Sequence, residues 1–529
     1  MVIKGLPISE GIISGEVYCH TGEVRVEISD HSFTTIENEI RRFQQAQKYS
    51  MLEVHKLYEK AMEELDEQSA AIFEMHEMLL GDMGFTGQVI RHITGSSMTA
   101  EDAIIKERDS LVDKFRALPD ESFRQKADDI IDFTQTLLGH MQGNRIINCE
   151  MPEGRFILMV HDITPEEFLR LDLSRITGIL STSTSKISHA AILAKAAGIP
   201  MITKIPYNSR MLRHTVVMDA YEGDVIFDPS DSDIAHYEEL AVMRERDKAE
   251  LKSYMGKRGT MAVYSNISDT TELMEVLAND SEGIGLLRSE FLFLNGDDFP
   301  DEDLQFEIYK EVALKMQGRK VVIRTMDIGA DKTPRYFRFP KEDNPQLGMR
   351  GIRVSLKYRD SFRCQLRALI RASYYGDIDI LYPMVSSLIQ VREVRTLVDE
   401  ICNELQSEGI PYGNFRTGIM IEVPAAVIMS RELAREVDFF SIGTNDLIQY
   451  TYAVDRQNRY VSKLLEDVTP ILMMIEMVAA NASKSGIPVE ICGELAADLR
   501  YTKTFEKMGI SALSVSPKEV LKVRRAIFS

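Results

Sequence analysis

The chain has 529 residues, which is too long for one hydrophobic core, so two to four domains are expected. Its formal net charge of -20 at pH 7 argues against a nucleic-acid partner, because acidic surfaces repel a phosphate backbone. The five cysteines form no C-x-x-C pair, and no apolar run reaches the length of a membrane span. The cysteine spacing supports neither a zinc site nor a disulfide framework, and these features together predict a cytoplasmic protein with no membrane insertion.

The part of the chain before residue 231 reads as a small α/β domain interrupted by helices. Proline is absent between Pro7 and Pro119, where the composition turns rich in Glu, Gln, Lys and Met. Strand-like segments flank this region at 11–19, 156–160, 178–180 and 216–218. The predicted domains are therefore an α/β domain of residues 1–20 and 146–230, a helical insertion of 21–145, and a charged linker helix of 231–257.

Residues 181–200 (STSTSKISHAAILAKAAGIP) place His189 at the start of a short helix, after a loop rich in hydroxyl groups. The helix is predicted over 190–197 and stops at Gly198 and Pro200. A helix N-terminus offers unpaired backbone N–H groups and a partial positive charge, which would stabilise a phosphoryl group on the imidazole. Taken alone, such a histidine is more often a capping or core residue.

Residues 258–529 alternate strand-like and helix-like segments over close to the ~250 residues typical of a (β/α)8 barrel. The eight predicted strands are 261–267, 283–288, 321–326, 351–355, 378–383, 418–423, 439–443 and 488–492. Barrel enzymes carry their chemistry at the carboxyl ends of the strands. Polar side chains fall at those ends in this sequence: Arg288, Arg324, Asp327, Arg350, Glu422, Asn445, Asp446 and Cys492.

These residue types indicate a metal-assisted reaction on an anion. The hard carboxylate oxygens of Glu422 and Asp446 suit Mg²⁺, although Asp446 alone would more simply cap a helix. Arg288, Arg324 and Arg350, together with Arg456, form a candidate clamp for phosphate and carboxylate groups, although any one of them could be a structural ion pair. With a thiol at the last strand, the set implies a small phosphorylated, carboxylated substrate whose enolate is stabilised and protonated.

Several longer segments are more specific than single residues: 161–165, 283–293, 324–332, 344–353, 418–426, 441–451, 453–456, 491–495 and 513–517. On these segments the chain resembles Enzyme I of the phosphoenolpyruvate-dependent sugar phosphotransferase system. The resemblance implies a swivelling phosphohistidine α/β domain with an inserted helical bundle, followed by a (β/α)8 barrel.

The resemblance also implies roles for individual residues. His189 receives the phosphoryl group of phosphoenolpyruvate, Glu422 and Asp446 hold Mg²⁺, and Cys492 protonates the enolate. The substrate is held by Arg288, Arg324, Lys332, Arg350, Asn445 and Arg456. The implied partners are a small histidine-containing phosphocarrier protein, which docks on the helical insertion, and a second copy of the chain in a homodimer.

One segment departs from the Enzyme I pattern. That family usually has an acid and a Gly-Gly pair before its Thr-Ser-His, whereas this chain has Thr182, Thr184, Ser185 and Ile187. Glycines let a backbone approach phosphate closely, so the change could slow or redirect transfer. The alternative reading is a diverged paralogue that acts as a regulatory phosphorelay or a binding scaffold. Pyruvate phosphate dikinase and phosphoenolpyruvate synthase fit less well, because they need an ATP-binding domain that the helical composition of 20–145 does not suggest.

Overall fold

The computed structural model describes residues 2–19, 33–116, 121–141, 154–185, 188–206, 214–294, 298–329, 334, 336–337, 342–455, 458, 461 and 467–529. The chain divides into two compact units, Met1–Asp247 and Lys248–Ser529. Among the helices of these described ranges, none is long and apolar enough to cross a membrane.

The first unit contains a mixed sheet of eight strands. They are β1 (Val2–Lys4), β2 (Leu6–Ser9), β3 (Ile12–Cys19), β4 (Phe156–Val160), β5 (Ile176–Ser181), β6 (Met201–Thr203), β7 (Thr215–Asp219) and β8 (Asp224–Phe227). Their spatial order is β1-β8-β7-β3-β4-β5-β6-β2, with β3 to β6 parallel and the outer pairs antiparallel. Each predicted β segment of this unit overlaps one of these strands, with Gly11 falling just before β3.

Within the described part of the chain, five helices come between β3 and β4, as the proline-free composition predicts. They are α1 (Ile36–Glu64), α2 (Glu67–Leu80), α3 (Met83–Ser96), α4 (Ala100–Arg116) and α5 (Glu121–Met141). Phe43 of α1 and Phe133 of α5 belong to the same buried cluster as Phe156 of the sheet. The sheet is followed or interrupted by α6 (Pro165–Arg170), α7 (His189–Ala196) and α8 (Asp231–Lys252). This shared core brings side chains of α2 and α5 next to the start of α7.

The second unit is a closed barrel of eight parallel strands. They are β9 (Ala262–Ile267), β10 (Gly283–Arg288), β11 (Lys320–Arg324), β12 (Ile378–Tyr382), β13 (Thr417–Ile421), β14 (Phe439–Ile442), β15 (Val489–Ile491) and β16 (Ala512–Val515). The helices of this unit are α9 (Leu273–Ala278), α10 (Phe291–Leu294), α11 (Glu302–Lys315), α12 (Ile352–Lys357), α13 (Arg359–Ala372), α14 (Leu388–Glu408), α15 (Pro424–Ile428), α16 (Ser430–Leu433), α17 (Thr444–Tyr452), α18 (Thr469–Ser485), α19 (Thr502–Lys507) and α20 (Val520–Phe528). The predicted fold class, an α/β unit with inserted helices followed by a barrel, is confirmed.

One predicted strand is wrong. Residues 351–355 form the start of α12, because Ile352 and Val354 bury their side chains on a helix that begins just after Gly351. The β-branched residues and their alternation favoured a strand, but tertiary packing overrides such a short propensity signal. The eighth strand is β16, which pairs with both β15 and β9 and so closes the barrel.

Alternating side chains of the barrel strands form two separate layers. Outward-facing residues such as Ile284, Val321 and Ile380 pack in the large core beneath the helices. Inward-facing residues form a second cluster in the barrel interior: Leu286, Val322, Leu381, Met420, Phe439 and Cys492. Because all eight strands are parallel, their carboxyl ends meet at one rim, and the polar residues that follow them are brought together there.

Candidate active site

His189 is the first residue of α7 in the first unit. The helix begins here because Ser188 caps it, with the Ser188 hydroxyl accepting a hydrogen bond from the backbone N–H of Ala191 at 3.3 Å. Gly198, with φ of +64°, follows the helix as the sequence predicts. The side chain of His189 is about one-quarter exposed, at 23%. The imidazole is therefore accessible to a reactant at a helix N-terminus.

Two further side chains from the helical insertion lie beside His189. Nδ1 of His189 is 3.1 Å from Oδ1 of Asp129 on α5, and His76 of α2 lies edge-on to the His189 ring. Burial alone would raise the pKa of Asp129, but the two imidazoles lower it to about 2. Burial alone would lower the pKa of His76, but Asp129 and Glu166 raise it to about 10. His189 therefore faces a carboxylate that stays ionised at neutral pH.

The loop before His189 is held by hydroxyl groups where the Enzyme I pattern has small residues. Thr184 is buried, and its hydroxyl donates a hydrogen bond to Oδ1 of Asp162 at 2.8 Å. The hydroxyl of Ser181 contacts the same threonine oxygen at 2.5 Å. Lys186 and Ile187 lie outside the described residues. The threonine thus serves as an internal tether of this loop.

Arg324 and Arg350 lie at the rim of the barrel in a chain of ion pairs. Arg324 ends β11 and contacts Glu290 at 2.5 Å and Asp327 at 3.2 Å. Arg350 donates to both oxygens of Asp327, at 3.0 and 2.9 Å, and to both oxygens of Asp446, at 2.9 and 3.0 Å. Although burial opposes it, these carboxylates raise the pKa of both guanidinium groups. Both arginines therefore carry full charge in a nearly buried setting.

Arg350 reaches this rim from a loop and not from the end of a strand. Its backbone forms an isolated bridge with Gly329, whose φ is +114°. A Cβ on Gly329 would come 2.0 Å from the carbonyl oxygen of Met349. Only glycine combines that φ with so close an approach, so Gly329 allows Arg350 to lie against Asp327.

Arg288 and Asn445 occupy different parts of the rim. Arg288 ends β10 in register with Arg324, and its exposed side chain contacts the hydroxyl of Ser268 at a long 3.4 Å. Asn445 lies in the first turn of α17. Its Oδ1 accepts a hydrogen bond from the backbone N–H of Glu494 at 2.8 Å, and its Nδ2 donates one to the Glu494 carboxylate at 3.1 Å. Lys332 and Arg456, the other two predicted substrate residues, lie outside the described residues.

Glu422 and Asp446 are the predicted metal ligands. Glu422 follows β13, is 1% exposed, and accepts a hydrogen bond from the backbone N–H of Met384 at 2.6 Å. Burial, followed by the charges of Asp446 and Asp327, raises the pKa of Glu422 to about 8. A Cβ on Gly443 would lie 3.0 Å from Oε2 of Glu422, so the glycine leaves that oxygen room. A buried acid that resists ionisation among other acids is a site at which a cation is stabilising.

Cys492 follows β15 and belongs to the apolar cluster of the barrel interior. It is 4% exposed, and its thiol donates a long contact of 3.6 Å to the carbonyl oxygen of Ile442. Burial raises the pKa of the thiol to about 11. Cys492 is therefore a protonated thiol at neutral pH, packed where the strand ends meet the barrel interior.

Three residues of these sites carried no assigned role in the sequence. Glu290 follows the predicted strand 283–288 by two positions, which was a usable signal for a residue at the rim. Asp327 was noted at a strand end, but its place between Arg324 and Arg350 depends on the loop of Gly329. Asp129 was not visible at all, because only the packing of α5 against α7 gives it a partner.

Family models match the chain in three segments. They are a PEP-utilising enzyme N-terminal domain over residues 4–126, a PEP-utilising enzyme mobile domain over 152–223, and a PEP-utilising enzyme PEP-binding domain over 243–529. A phosphoenolpyruvate-protein phosphotransferase from Listeria monocytogenes is 36% identical over 99% of this chain and 93% of its own length. The chain belongs to the phosphoenolpyruvate-protein phosphotransferase family.

A second member, from Bacillus subtilis, is also 36% identical, over 99% of this chain and 94% of its own length. A solved structure entitled Enzyme I (nEIt) covers 46% of this chain and 99% of its own, at 25% identity and a TM-score of 0.40. The mobile-domain match contains His189, and the PEP-binding match contains the whole barrel rim described above. The two groups of candidate residues thus lie in two differently named parts of this phosphotransferase family.

Proposed function

We propose that this member of the phosphoenolpyruvate-protein phosphotransferase family transfers the phosphoryl group of phosphoenolpyruvate to His189 and then to a histidine of a small phosphocarrier protein. The observation that carries the proposal is the pairing of an accessible imidazole at a capped helix start with an arginine- and carboxylate-lined barrel rim in the same chain. The imidazole of His189 supplies the nucleophile. The barrel rim supplies a binding site for a substrate that carries both a phosphate and a carboxylate.

The chemistry at His189 follows from its contacts. Nδ1 faces the ionised Asp129, so this nitrogen carries the imidazole proton and Nε2 keeps the lone pair. In-line attack of Nε2 on phosphorus forms the N–P bond and breaks the P–O bond to carbon, which releases pyruvate as its enolate. The phosphoryl group then lies at the N-terminus of α7, where the helix dipole and free N–H groups stabilise its charge.

The barrel rim supports substrate binding through donors that are not fully used. Nε of buried Arg324 has no hydrogen-bond partner within the described residues, and Arg288 makes only one long contact. Arg350 donates to both Asp327 and Asp446, so it binds substrate by exchanging its bonds to Asp446, a proposed Mg²⁺ ligand, for bonds to a substrate oxygen. We assign the phosphate and carboxylate of the substrate to these guanidinium groups, with Asn445, Lys332 and Arg456 completing the set.

Mg²⁺ fits the carboxylates of Glu422 and Asp446. Both offer hard oxygen atoms, and Oε2 of Glu422 lies in the space that Gly443 leaves open. When bound, Mg²⁺ neutralises charge on the phosphoryl and enolate oxygens and so stabilises the developing enolate. Glu422 must be deprotonated to act as a ligand, and its raised pKa of about 8 means that ionisation is costly without a cation.

Cys492 supplies the proton that the enolate needs. Its pKa of about 11 keeps the thiol protonated until a strong base such as the enolate carbon arrives. The proton moves from sulfur to carbon and leaves a thiolate at the interior end of the rim. The positive charge of Arg324 stabilises that thiolate and so lowers the free energy needed to form it.

The proposed carrier surface is on the helical insertion. Met75 and Met78 on α2 and Met83 at the start of α3 are 47%, 68% and 83% exposed, so an apolar, adaptable face lies on the unit that bears His189. Because one histidine must meet the barrel substrate and then a protein, we infer that the phosphohistidine domain swivels relative to the barrel. The moving parts are residues 1–20 and 146–230 with the insertion 21–145, linked by 231–257 to the barrel of 258–529.

We also propose a cytoplasmic homodimer that forms through the barrel. Ile428 of α15 and Met473 of α18 are 71% and 66% exposed, and the two helices lie in contact. A second copy of the chain would bury this apolar pair, and sedimentation at micromolar concentration tests it. A monomer at all concentrations would contradict the dimer without affecting the proposed chemistry.

An isotope-exchange experiment tests the proposed function. The protein is incubated with unlabelled phosphoenolpyruvate, Mg²⁺ and carbon-labelled pyruvate, and label is followed into phosphoenolpyruvate. A reversible phosphohistidine makes the exchange proceed without any carrier, and His189→Gln abolishes it while His161→Gln does not. Phosphoenolpyruvate binding without exchange in the wild type would favour the diverged scaffold.

A further inference from the structure

Three potential metal-ligand atoms converge beside α7. They belong to His76, Asp129 and His189, and one donor atom of each lies within 4.8 Å of the others. Oδ1 of Asp129 faces both Nε2 of His76 and Nδ1 of His189. They come from three different helices, α2, α5 and α7, so tertiary packing and not sequence spacing brings them together. Two imidazole nitrogens and one carboxylate oxygen form a donor set that zinc and its first-row neighbours prefer.

The donor atoms of His76 and Asp129 are buried and incompletely bonded. His76 is 0% exposed and Asp129 is 7% exposed. Nε2 of His76 makes no hydrogen bond within the described residues, and Oδ1 of Asp129 is held there by ion pairs with Nε2 of His76 at 3.6 Å and Nδ1 of His189 at 3.1 Å. Leaving buried polar atoms unpaired destabilises a fold. A ligand that bonds to both atoms would remove that cost.

The other ring nitrogen of His76 is already held by a carboxylate. Nδ1 of His76 lies 2.7 Å from Oε1 of the buried Glu166, which fixes the ring and directs Nε2 toward Asp129. Metal-binding histidines are usually oriented in this way by a carboxylate on the nitrogen that does not bind the metal. The arrangement therefore includes the supporting hydrogen bond as well as the ligand atoms.

The local charge also favours a divalent cation. Two buried carboxylates, those of Asp129 and Glu166, face the two ring nitrogens of His76, at 3.6 Å from Nε2 and 2.7 Å from Nδ1. A divalent cation bound at Nε2 would balance the charges of both carboxylates. The cation would displace the proton from Nε2 of His76 to solvent.

We propose that His76, Asp129 and His189 form a binding site for a divalent metal of the zinc class. The oxygen of Asp129 lies 3.1 Å from Nδ1 of His189 and 3.6 Å from Nε2 of His76. These separations match the ~3.3 Å between ligands of a tetrahedral centre with bonds of about 2.0–2.1 Å. A fourth position stays open to water or a small anion.

Metal binding at this site would switch off the nucleophile, a consequence that rests on the proposed function. A neutral imidazole that binds a metal through Nδ1 carries its proton on Nε2. His189 then has no lone pair left on Nε2 to attack phosphorus. The site is therefore inhibitory: the metal and the phosphoryl group compete for the electrons of one imidazole ring.

Cobalt titration of the metal-free, full-length protein tests the site directly. Tetrahedral Co²⁺ absorbs visible light, and we expect a band that saturates at one equivalent and is displaced by Zn²⁺. Loss of a supporting partner commonly costs 10–100-fold in metal affinity, so loss of a ligand in His76→Gln or Asp129→Asn should cost at least about tenfold.

The matched control is His92→Gln. His92 also pairs with a carboxylate, that of Glu107 at 3.2 Å, but it does not belong to the cluster of His76, Asp129 and His189. It should keep the full cobalt band. Absence of a saturable band in the wild type, or undiminished affinity in a folded His76→Gln and a folded Asp129→Asn, would overturn the proposal.

Phosphorylation separates this inference from the proposed function. Micromolar Zn²⁺, added in the presence of millimolar Mg²⁺, should slow formation of phosphohistidine in the wild type and in His92→Gln. In His76→Gln the Zn²⁺ concentration that halves the rate should be at least about tenfold higher. Phosphohistidine formation without any cobalt binding would contradict the metal site alone. Cobalt binding in a metal-free protein that never forms phosphohistidine would contradict the proposed function alone.

Discussion

Replacement of Arg350 by lysine isolates the contribution of the guanidinium fork. Arg350 makes four hydrogen bonds of 2.9 to 3.0 Å, two to Asp327 and two to Asp446. A lysine ammonium keeps the charge but cannot form two bidentate pairs, so at least two of these bonds are lost. Each hydrogen bond to a charged group contributes about 1.5–3 kcal/mol, so we expect Arg350→Lys to destabilise the protein by roughly 3–6 kcal/mol.

The same change should weaken substrate binding. Loss of one bidentate contact to phosphate or carboxylate, at about 1.5–3 kcal/mol, corresponds to a rise in the Kd for phosphoenolpyruvate of about 10- to 150-fold. Scanning calorimetry measures the first effect and isothermal titration with phosphoenolpyruvate and Mg²⁺ measures the second.

Arg353→Lys is the matched control, because Arg353 uses a single nitrogen, Nη1, to donate to two backbone carbonyl oxygens, those of Leu347 and Gly348. An ammonium can replace that contact, so both stability and affinity should stay near the wild type. An Arg350→Lys protein with unchanged unfolding temperature and a Kd within twofold of the wild type would refute the role of the fork.

Three further changes test the remaining assignments. Glu422→Gln should prevent Mg²⁺ from stimulating phosphohistidine formation, so that the reaction stays slow at every Mg²⁺ concentration. A normal Mg²⁺ titration in this variant would show that the metal ligands lie elsewhere. Cys492→Ala should still form phosphohistidine but release pyruvate about 10²- to 10⁴-fold more slowly, as measured by coupled assay. Because burial raises the pKa of Cys492 to about 11, the folded protein keeps the thiol proton as pH rises, so wild-type turnover should not fall through loss of this proton below about pH 10. Met78→Asp should weaken transfer to the carrier protein while leaving phosphoenolpyruvate–pyruvate exchange unchanged, and equal loss of both would contradict the docking face.

The barrel was largely predictable because its strands are buried on both faces and read as apolar runs closed by polar residues. Segments 283–288, 378–383 and 439–443 each match an observed strand to within a residue at either end. Segment 351–355 failed because five residues cannot distinguish a buried strand from one buried helical turn. Strand β16 was missed because Ser514 interrupts its apolar pattern, and that serine points to Asn266 of β9.

The candidate site was predictable only where a side chain ends a strand. Arg288 ends β10 and Glu422 directly follows β13, so both lie at the barrel rim as the predicted strands indicate. The acids that surround the arginines come from loops and helices, and their pairing depends on tertiary contacts such as the bridge between Gly329 and Arg350. The same limit applies to His189, whose partner Asp129 is distant in sequence and comes near it through helix packing.

The position of the phosphoryl group is the most direct test of the proposed reaction. The protein is incubated with phosphorus-labelled phosphoenolpyruvate and Mg²⁺, digested at alkaline pH where phosphohistidine survives, and the labelled peptide is sequenced by mass spectrometry. We expect one phosphoryl group per chain, labile to acid, on the peptide that contains His189. Stoichiometric label on any other residue, or none at all in a protein that binds phosphoenolpyruvate, would contradict the assignment of His189 as the phosphoryl acceptor.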